Sequence, residues 1–289
     1  MDSIEPNMSD STLFKLKFWG TRGSIPCPGP DTVKYGGNTT CFEITCGSKR
    51  IIIDAGTGIR LLGKKIMIEE GNLLDADLFF THTHMDHIQG LPFFAPLYNP
   101  VSDVRLHAGH LTANDEYDLR GIIGTMLMKD PVFPVPSSLI EQACSFKDFF
   151  CGHVFELGDG IVIRTGKLNH PNGACGYRIE FQGKAIAICT DTEHYDDRID
   201  ENVVTLAKDA DVMVYDSAYT TEEYPKFKGW GHSTWEEAIK VAEAAEVKQT
   251  FLFHHDPSHG DEKMDQIAKE AAARREGVRP AVEGEEITL

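Results

Sequence analysis

Residues 75–87 read DADLFFTHTHMDH, and this stretch constrains the chain more than any other. A short apolar run ends in Phe79 and Phe80, and His82, His84, Asp86 and His87 follow within a few residues. The run is expected to form a buried strand, so four ligand-type side chains emerge where a rigid core element meets a cleft. Neutral imidazole and carboxylate suit zinc, manganese or iron. On an extended turn His82 and His84 aim at one ion, and Asp86 with His87 can face a second. A set of unrelated surface histidines is a poor explanation for this density of ligands directly after an apolar strand.

The flanking segments indicate how the strand is held. "LFKLKFWG" alternates as a strand and runs into the Gly/Pro-rich "TRGSIPCPGPDTVKYGG"; "TTCFEITCG" and "RIIIDAGTG" read as two more strands of a β-meander. "IRLLGKKIMIEEG" has helical periodicity and stops at a glycine. Residues 98–140 hold a strand, a helix and a proline-punctuated loop; the apolar "IIGTMLMKDPVFPV" fits a flap, an oligomer contact or ordinary packing. Four further strands follow in "FELGDGIVIRTGKL", "GACGYRIEFQG", "AIAICTDT" and "DADVMVYDSAY". "STWEEAIKVAEAAEVK" starts as a helix with a capping box at Ser233 and Glu236, "QTFLFHHDP" is a strand ending in two histidines, and "DEKMDQIAKEAAARREG" is a last helix. Strand runs interleaved with helices predict two packed sheets with helices outside, an α+β fold. The expected organisation is a loose tail over 1–12 and a single domain over 13–289.

Composition narrows the chemistry. At 41% hydrophobic content the 289 residues can bury a full core. Seven cysteines, an odd number with no CxxC pair, fit a reducing compartment better than a disulfide framework or zinc ribbon. No signal-like or membrane-spanning run is present, so the expected location is cytoplasmic with no membrane partner. The net charge of −17 opposes broad binding of polyanions.

HxHxDH after a short apolar strand, preceded by "IIIDAGTG", resembles the metallo-β-lactamase superfamily from about "FWGTRGS" to "FHHDP". The resemblance implies a four-layer αββα sandwich with a metal site at the sheet edge. It makes His170 in "LNHPNGACGY" the third imidazole on the first metal and Asp191 in "CTDTEH" the carboxylate bridging both. His254 and His255 in "FLFHHDP" both compete for the late histidine, and the position within the motif favours His255. Metal one is thus expected to take His82, His84 and His170, and metal two Asp86, His87 and His255. The cofactors are two divalent ions, zinc first, with manganese or iron also compatible. Asp54 is expected to orient a ligand imidazole rather than bind metal.

"GHSTWEEA" is similar to the phosphodiesterase branch that includes ribonuclease Z, and makes His232 a catalytic candidate. That branch carries a His-Glu pair where "VYDSAY" here has Tyr215 and Asp216, so Asp216 is expected to orient His232. The implied reaction is phosphodiester hydrolysis, the metals activating water, His232 stabilising the developing charge or protonating the leaving oxygen, and Asp86 handling the water's proton. No glycine- and lysine-rich arm is visible, and with the acidic charge this favours a small phosphodiester such as a cyclic nucleotide over extended nucleic acid. Alternatives are hydrolysis of esters, thioesters or lactones, tRNA 3′ processing, and, outside enzymes, a structural metal-binding role in assembly. Arg22 and Lys129 are candidates for holding phosphate. A homodimer is compatible with the apolar 98–140 segment.

Overall fold

Alternation along the strands sorts side chains into three separate layers of core. The computed structural model describes residues 10–111 and 117–289; the tail expected over 1–12 falls mostly outside them, and Asp10–Thr12 form a short 3-10 turn. The strands of the first half are β1 (Phe14–Gly20), β2 (Cys41–Cys46), β3 (Lys49–Ile53), β4 (Asp75–Phe80), β5 (Asp103–Ala108) and β6 (Cys144–Asp148). The second half contributes β7 (Val154–Gly158), β8 (Ile161–Leu168), β9 (Ala174–Phe181), β10 (Lys184–Cys189), β11 (Val212–Asp216), β12 (Gln249–Phe253) and β13 (Val278–Pro280). A last strand, β14 (Glu286–Thr288), returns to pair with β1. The sheet orders are β14-β1-β2-β3-β4-β5-β6 and β13-β12-β11-β10-β9-β8-β7.

In each sheet an antiparallel portion leads into four parallel strands, β3 to β6 in one and β10 to β13 in the other. On β12, Phe251 and Phe253 face the layer between the sheets, while Leu252 faces the helices. On β4, Phe79 enters the central layer and Ala76, Leu78 and Phe80 the opposite one. The two sheets meet through aromatic rings from both: Phe42 and Phe253 lie 4.6 Å apart, Phe18 and Phe251 5.3 Å. Burying each such ring contributes about 1.5–3 kcal/mol.

Helices cover the outer faces. Helix α1 (Ile59–Glu69) buries Ile59, Leu62, Gly63 and Ile66, the one-sided spacing of an amphipathic helix, against the first sheet. The short α2 (Met85–Ile88) carries the end of the HxHxDH motif, and α3 (Leu119–Ile122) continues into a π turn at Ile123–Leu127. Ile122, Ile123, Leu127 and Met128 are buried in the same outer core as α1, so this part of the 98–140 segment packs as ordinary core, while Met126, Val132 and Leu139 stay exposed. Helices α4 (Glu201–Ala207), α5 (Trp235–Ala244) and α6 (Asp261–Arg274) cover the second sheet. These layers are the expected αββα sandwich. The cap of α5 differs from the expected box by one residue: Thr234 is the N-cap and accepts from the Glu237 N–H at 3.3 Å. Ser233 is drawn away by His194 Nδ1, 2.9 Å from its hydroxyl.

Away from the cluster, Asp77 on β4 sits opposite Arg105 on β5, with its Oδ1 at 3.0 Å from Arg105 Nε and 2.8 Å from His107 Nε2. Burial opposes its charge, but His107 and Arg105 outweigh burial and hold the carboxyl down at about 2. A depressed carboxyl stabilises the fold fully above its unfolded value near 4, and the contribution fades as pH falls toward 2. Asp77→Asn is therefore expected to cost about 2 kcal/mol in denaturant unfolding at pH 7. The gap to the unsubstituted chain should narrow as the pH is lowered from 4.

Candidate metal centre

The parallel strands, joined by the antiparallel β8, deliver the polar residues at their C-terminal ends, on one edge of the sandwich. Asp54 follows β3, the His82–His87 motif follows β4, His170 follows β8, Asp191 follows β10, Asp216 ends β11 and His254 follows β12. Three of these, Asp54, Asp191 and His254, hold φ values of 63°, 59° and 61°. Left-handed backbone at non-glycine residues costs about 1–3 kcal/mol and tends to concentrate at functional sites. Here it breaks the strand alternation at the last moment and turns each side chain toward the edge.

Three groups each have ligand atoms all within 4.8 Å of one another: His82, His84 and His170; Asp86, His87, Asp191 and His254; and Asp191, Asp216, His232 and His254, the last two sharing Asp191 and His254. His84 Nδ1 and His170 Nε2 face each other at 3.1 Å. Asp191 Oδ1 lies 3.8 Å from His82 Nε2, 3.3 Å from His87 Nε2 and 3.2 Å from His254 Nε2, so one carboxylate oxygen stands between the first two groups. Asp86 Oδ2 is 3.3 Å from both His87 Nε2 and His254 Nε2 and accepts the Ser24 N–H at 2.8 Å.

Second contacts set the tautomers. His170 Nδ1 donates to the Gly231 carbonyl at 2.9 Å, and His87 Nδ1 donates to Asp54 Oδ2 at 2.9 Å. Both rings thereby present Nε2, as a metal-ligating imidazole does. Asp54 is itself held by the backbone N–H and the hydroxyl of Thr81, each at 2.8 Å, which is the orienting place expected for it. His82 Nε2 and His87 Nε2 are buried without a hydrogen-bond partner. A bound cation would satisfy both, and the donor set of imidazoles and carboxylates fits a divalent metal.

The electrostatics agree with that fit. Burial, helped by neighbouring imidazoles, pushes His82 well below its ordinary value and His170 down to about 4, leaving both neutral as ligands must be. At His87 and His254 burial also opposes charge, yet Asp191 and Asp86 overcome it and hold both imidazoles well above the usual range. The paired carboxylates thus demand positive charge at this point, and a divalent cation would supply it.

His255 is not part of the cluster. Its backbone pairs with Thr21 and Gly23, its Nε2 lies 2.9 Å from the Ala281 carbonyl oxygen, and burial with the nearby Arg22 lowers it to about 3. His254 takes the place expected for His255 because the left-handed turn at 254 reverses the side-chain direction that strand alternation would give. Arg22 is likewise not a phosphate ligand: it is fully buried, and its guanidinium is spent on the carbonyls of Gly36, Asp256 and His259. Lys129 lines a separate cleft with Gly124 and Phe133. His232 Nδ1 is 2.8 Å from Asp216 Oδ2, and its ring stacks on His254 at 4.3 Å, so the expected pair is formed beside the cluster.

Some supporting residues carried no sequence signal. Glu193 accepts the N–H groups of Gly229 and Gly231 and the Tyr224 hydroxyl, each at 2.8 Å, and so fixes the loop whose carbonyl orients His170. His110 stands behind the motif, its Nε2 at 3.0 Å from Thr83 Oγ1. Glycine is needed where backbone meets ligand: a Cβ at Gly23 would sit 2.2 Å from His254 Nδ1, and one at Gly231, already at φ 91°, 2.2 Å from His170 Nδ1.

A family model described as a β-lactamase superfamily domain matches residues 49–255. The chain belongs to the metallo-β-lactamase superfamily. It is 27% identical to a ribonuclease Z of Enterococcus faecalis over 89% of this chain and 91% of that protein. Identity is 26% to a ribonuclease Z of Archaeoglobus fulgidus, over 84% and 87% respectively. Among solved structures, the metallo-β-lactamase fold protein YhfI of Bacillus subtilis superposes with a TM-score of 0.72 at 18% identity, covering 96% of this chain and all of that one. The short form of human tRNase Z gives 0.62 at 17%, covering 94% and 98%. Family and cluster together make this metallo-β-lactamase-fold chain a metal-dependent hydrolase.

Metal analysis after reconstitution with a divalent ion should find two metal equivalents per chain. His254→Ala should hold fewer, and His255→Ala should keep both when folded. Asp54→Ala should weaken one of the two sites by roughly tenfold to a hundredfold in competition with a chromophoric chelator.

Proposed function

We propose that the chain hydrolyses phosphodiesters, with His82, His84 and His170 holding one divalent ion and Asp86, His87 and His254 the other, and with Asp191 shared between them. The observation that carries the reading is the His232–Asp216 pair at 2.8 Å, set directly against the cluster. When bound, such ions supply Lewis acidity toward phosphoryl oxygens and a hydroxide nucleophile at neutral pH.

The chain's own residues supply the remaining steps. Asp216 is fully buried, and its carboxylate takes the N–H groups of Thr192, Ala218 and Ser233, each at 3.2 Å, besides His232. Such a fixed acceptor holds the proton on His232 Nδ1 and makes Nε2 the exchanging nitrogen. As hydroxide oxygen bonds to phosphorus and the ester P–O bond breaks, Nε2 gives its proton to the departing oxygen. Asp86, anchored by Ser24 N–H and His254, stays ionised and can accept the proton of the attacking water. A thioester leaves as a thiolate and needs no such donor, so a positioned acid favours a phosphodiester over that alternative.

For the substrate, the curated relatives, named ribonuclease Z and matched over most of their length, support an RNA 3′ end better than the cyclic nucleotide expected from the sequence. The short form of human tRNase Z shares the fold, so a tRNA precursor is the first RNA to test. A second reading, a small diester, is supported by the net charge of −17, which disfavours a long polyanion.

The test is turnover of bis(p-nitrophenyl) phosphate, a tRNA precursor with a 3′ trailer, and 3′,5′-cyclic AMP by zinc- and manganese-loaded protein. His232→Ala should lower kcat on the preferred diester by about 10²–10⁴ with metal content unchanged. No diester turnover by fully loaded protein, or full activity of His232→Ala, would overturn the proposal. Cleavage of the precursor alone supports the RNA reading, and cleavage of the small diesters alone the other.

A further inference from the structure

A cavity of about 840 Å³ opens beside the metal centre and shares His170 with it. Its polar wall is made by Lys167, Asn169, Asn172, Tyr195 and Asn202, with Gly109 and His110 at the end nearest the His82 motif. Among the described residues no carboxylate lines it, although the chain holds 45 acidic residues against 28 lysines and arginines. Lys167 is the one lysine or arginine of the lining, and among the described residues it makes no ion pair. It projects from β8 three residues before His170, so the strand that carries this cation leads directly into a candidate metal ligand.

A second observation lies in the same wall. His110 is 8% exposed and uses Nε2 on the Thr83 hydroxyl, while its Nδ1 has no hydrogen-bond partner. Whichever ring nitrogen carries the hydrogen, Nδ1 is a buried polar atom left without a partner. An ammonium with no ion pair and a wall with no carboxylate among the described residues, together with amide side chains and the unpartnered His110 nitrogen, form a chamber suited to an anion.

Resting on the phosphodiesterase reading, we infer that this cavity is a subsite for a second phosphate of the substrate, joined through a sugar to the phosphate at the metals and held by Lys167. The volume suits a sugar phosphate, since small-molecule pockets run from about 300 to 1,000 Å³. The preferred substrate is then a diester bearing another phosphate, whether the next one along an RNA or a terminal one on a small nucleotide. A plain cyclic mononucleotide leaves the subsite unfilled.

Calorimetry on zinc-loaded protein tests this with adenosine 3′,5′-bisphosphate and adenosine 5′-monophosphate. The bisphosphate should bind roughly tenfold more tightly, as one charge-assisted contact supplies. Lys167→Ala should bring that ratio close to one, and Lys167→Arg should keep most of it. In turnover, 5′-phosphorylated ApA should be preferred over ApA by a similar factor, lost in Lys167→Ala. Equal binding of the two nucleotides, or a preference untouched by Lys167→Ala, would overturn the subsite. A preference that persists in protein without diester turnover would support the subsite and defeat the phosphodiesterase reading alone.

Discussion

One carboxylate oxygen organises the centre: Asp191 Oδ1, within 4 Å of nitrogens on His82, His87, His254 and His232. Asp191 is almost wholly buried, so its charge must be matched nearby or the desolvation cost would be severe. The strand ends bring that match from separate parts of the chain. His82 and His87 come from the β4 end, His254 from the β12 end, and Asp191 itself from β10. Folding the sandwich and assembling the site are therefore the same event, because no single segment holds all the partners of this oxygen.

Concentrating like and unlike charges there carries a conformational cost. Asp54, Asp191 and His254 are held in left-handed backbone, and Gly23 and Gly231 leave no room for a side chain against the imidazoles they touch. The surroundings maintain these conformations through many small contacts. The buried guanidinium of Arg22 ties the loop after β12 to the loop after β1, and Glu193 clamps the backbone at Gly229 and Gly231. The parallel strands below, filled with Ile186, Ile188, Val214, Phe251 and Phe253, give a stiff base from which short turns can be aimed.

Much of the fold could be read from the chain. Alternation predicted β1 and the meander after it, 3.6-residue periodicity predicted α1, and the apolar run before His82 predicted a buried strand, because burial on one or two faces leaves a pattern along a strand or helix. The cap of α5 was misplaced by one residue, since both Ser233 and Thr234 suit a cap, and a distant histidine, His194, engages the first of them. The pairing of β14 with β1 was not visible, because three residues of strand at the end of the chain are too few to show a period.

The site divides along similar lines. The sequence by itself determined the chemistry: a dense HxHxDH at a strand end, with further histidines and aspartates after later strands, has little use except to bind metal. His82, His84, Asp86 and His87 were legible because they are neighbours in the chain. Only the tertiary structure decided which of two adjacent histidines enters the cluster, that Arg22 serves the backbone rather than a substrate, and that Lys167 and His110 share a cavity with His170. The reason is physical: the direction of a side chain at a strand end depends on one backbone torsion, and that torsion is set by packing against residues more than two hundred positions away, as between Gly23 and His254.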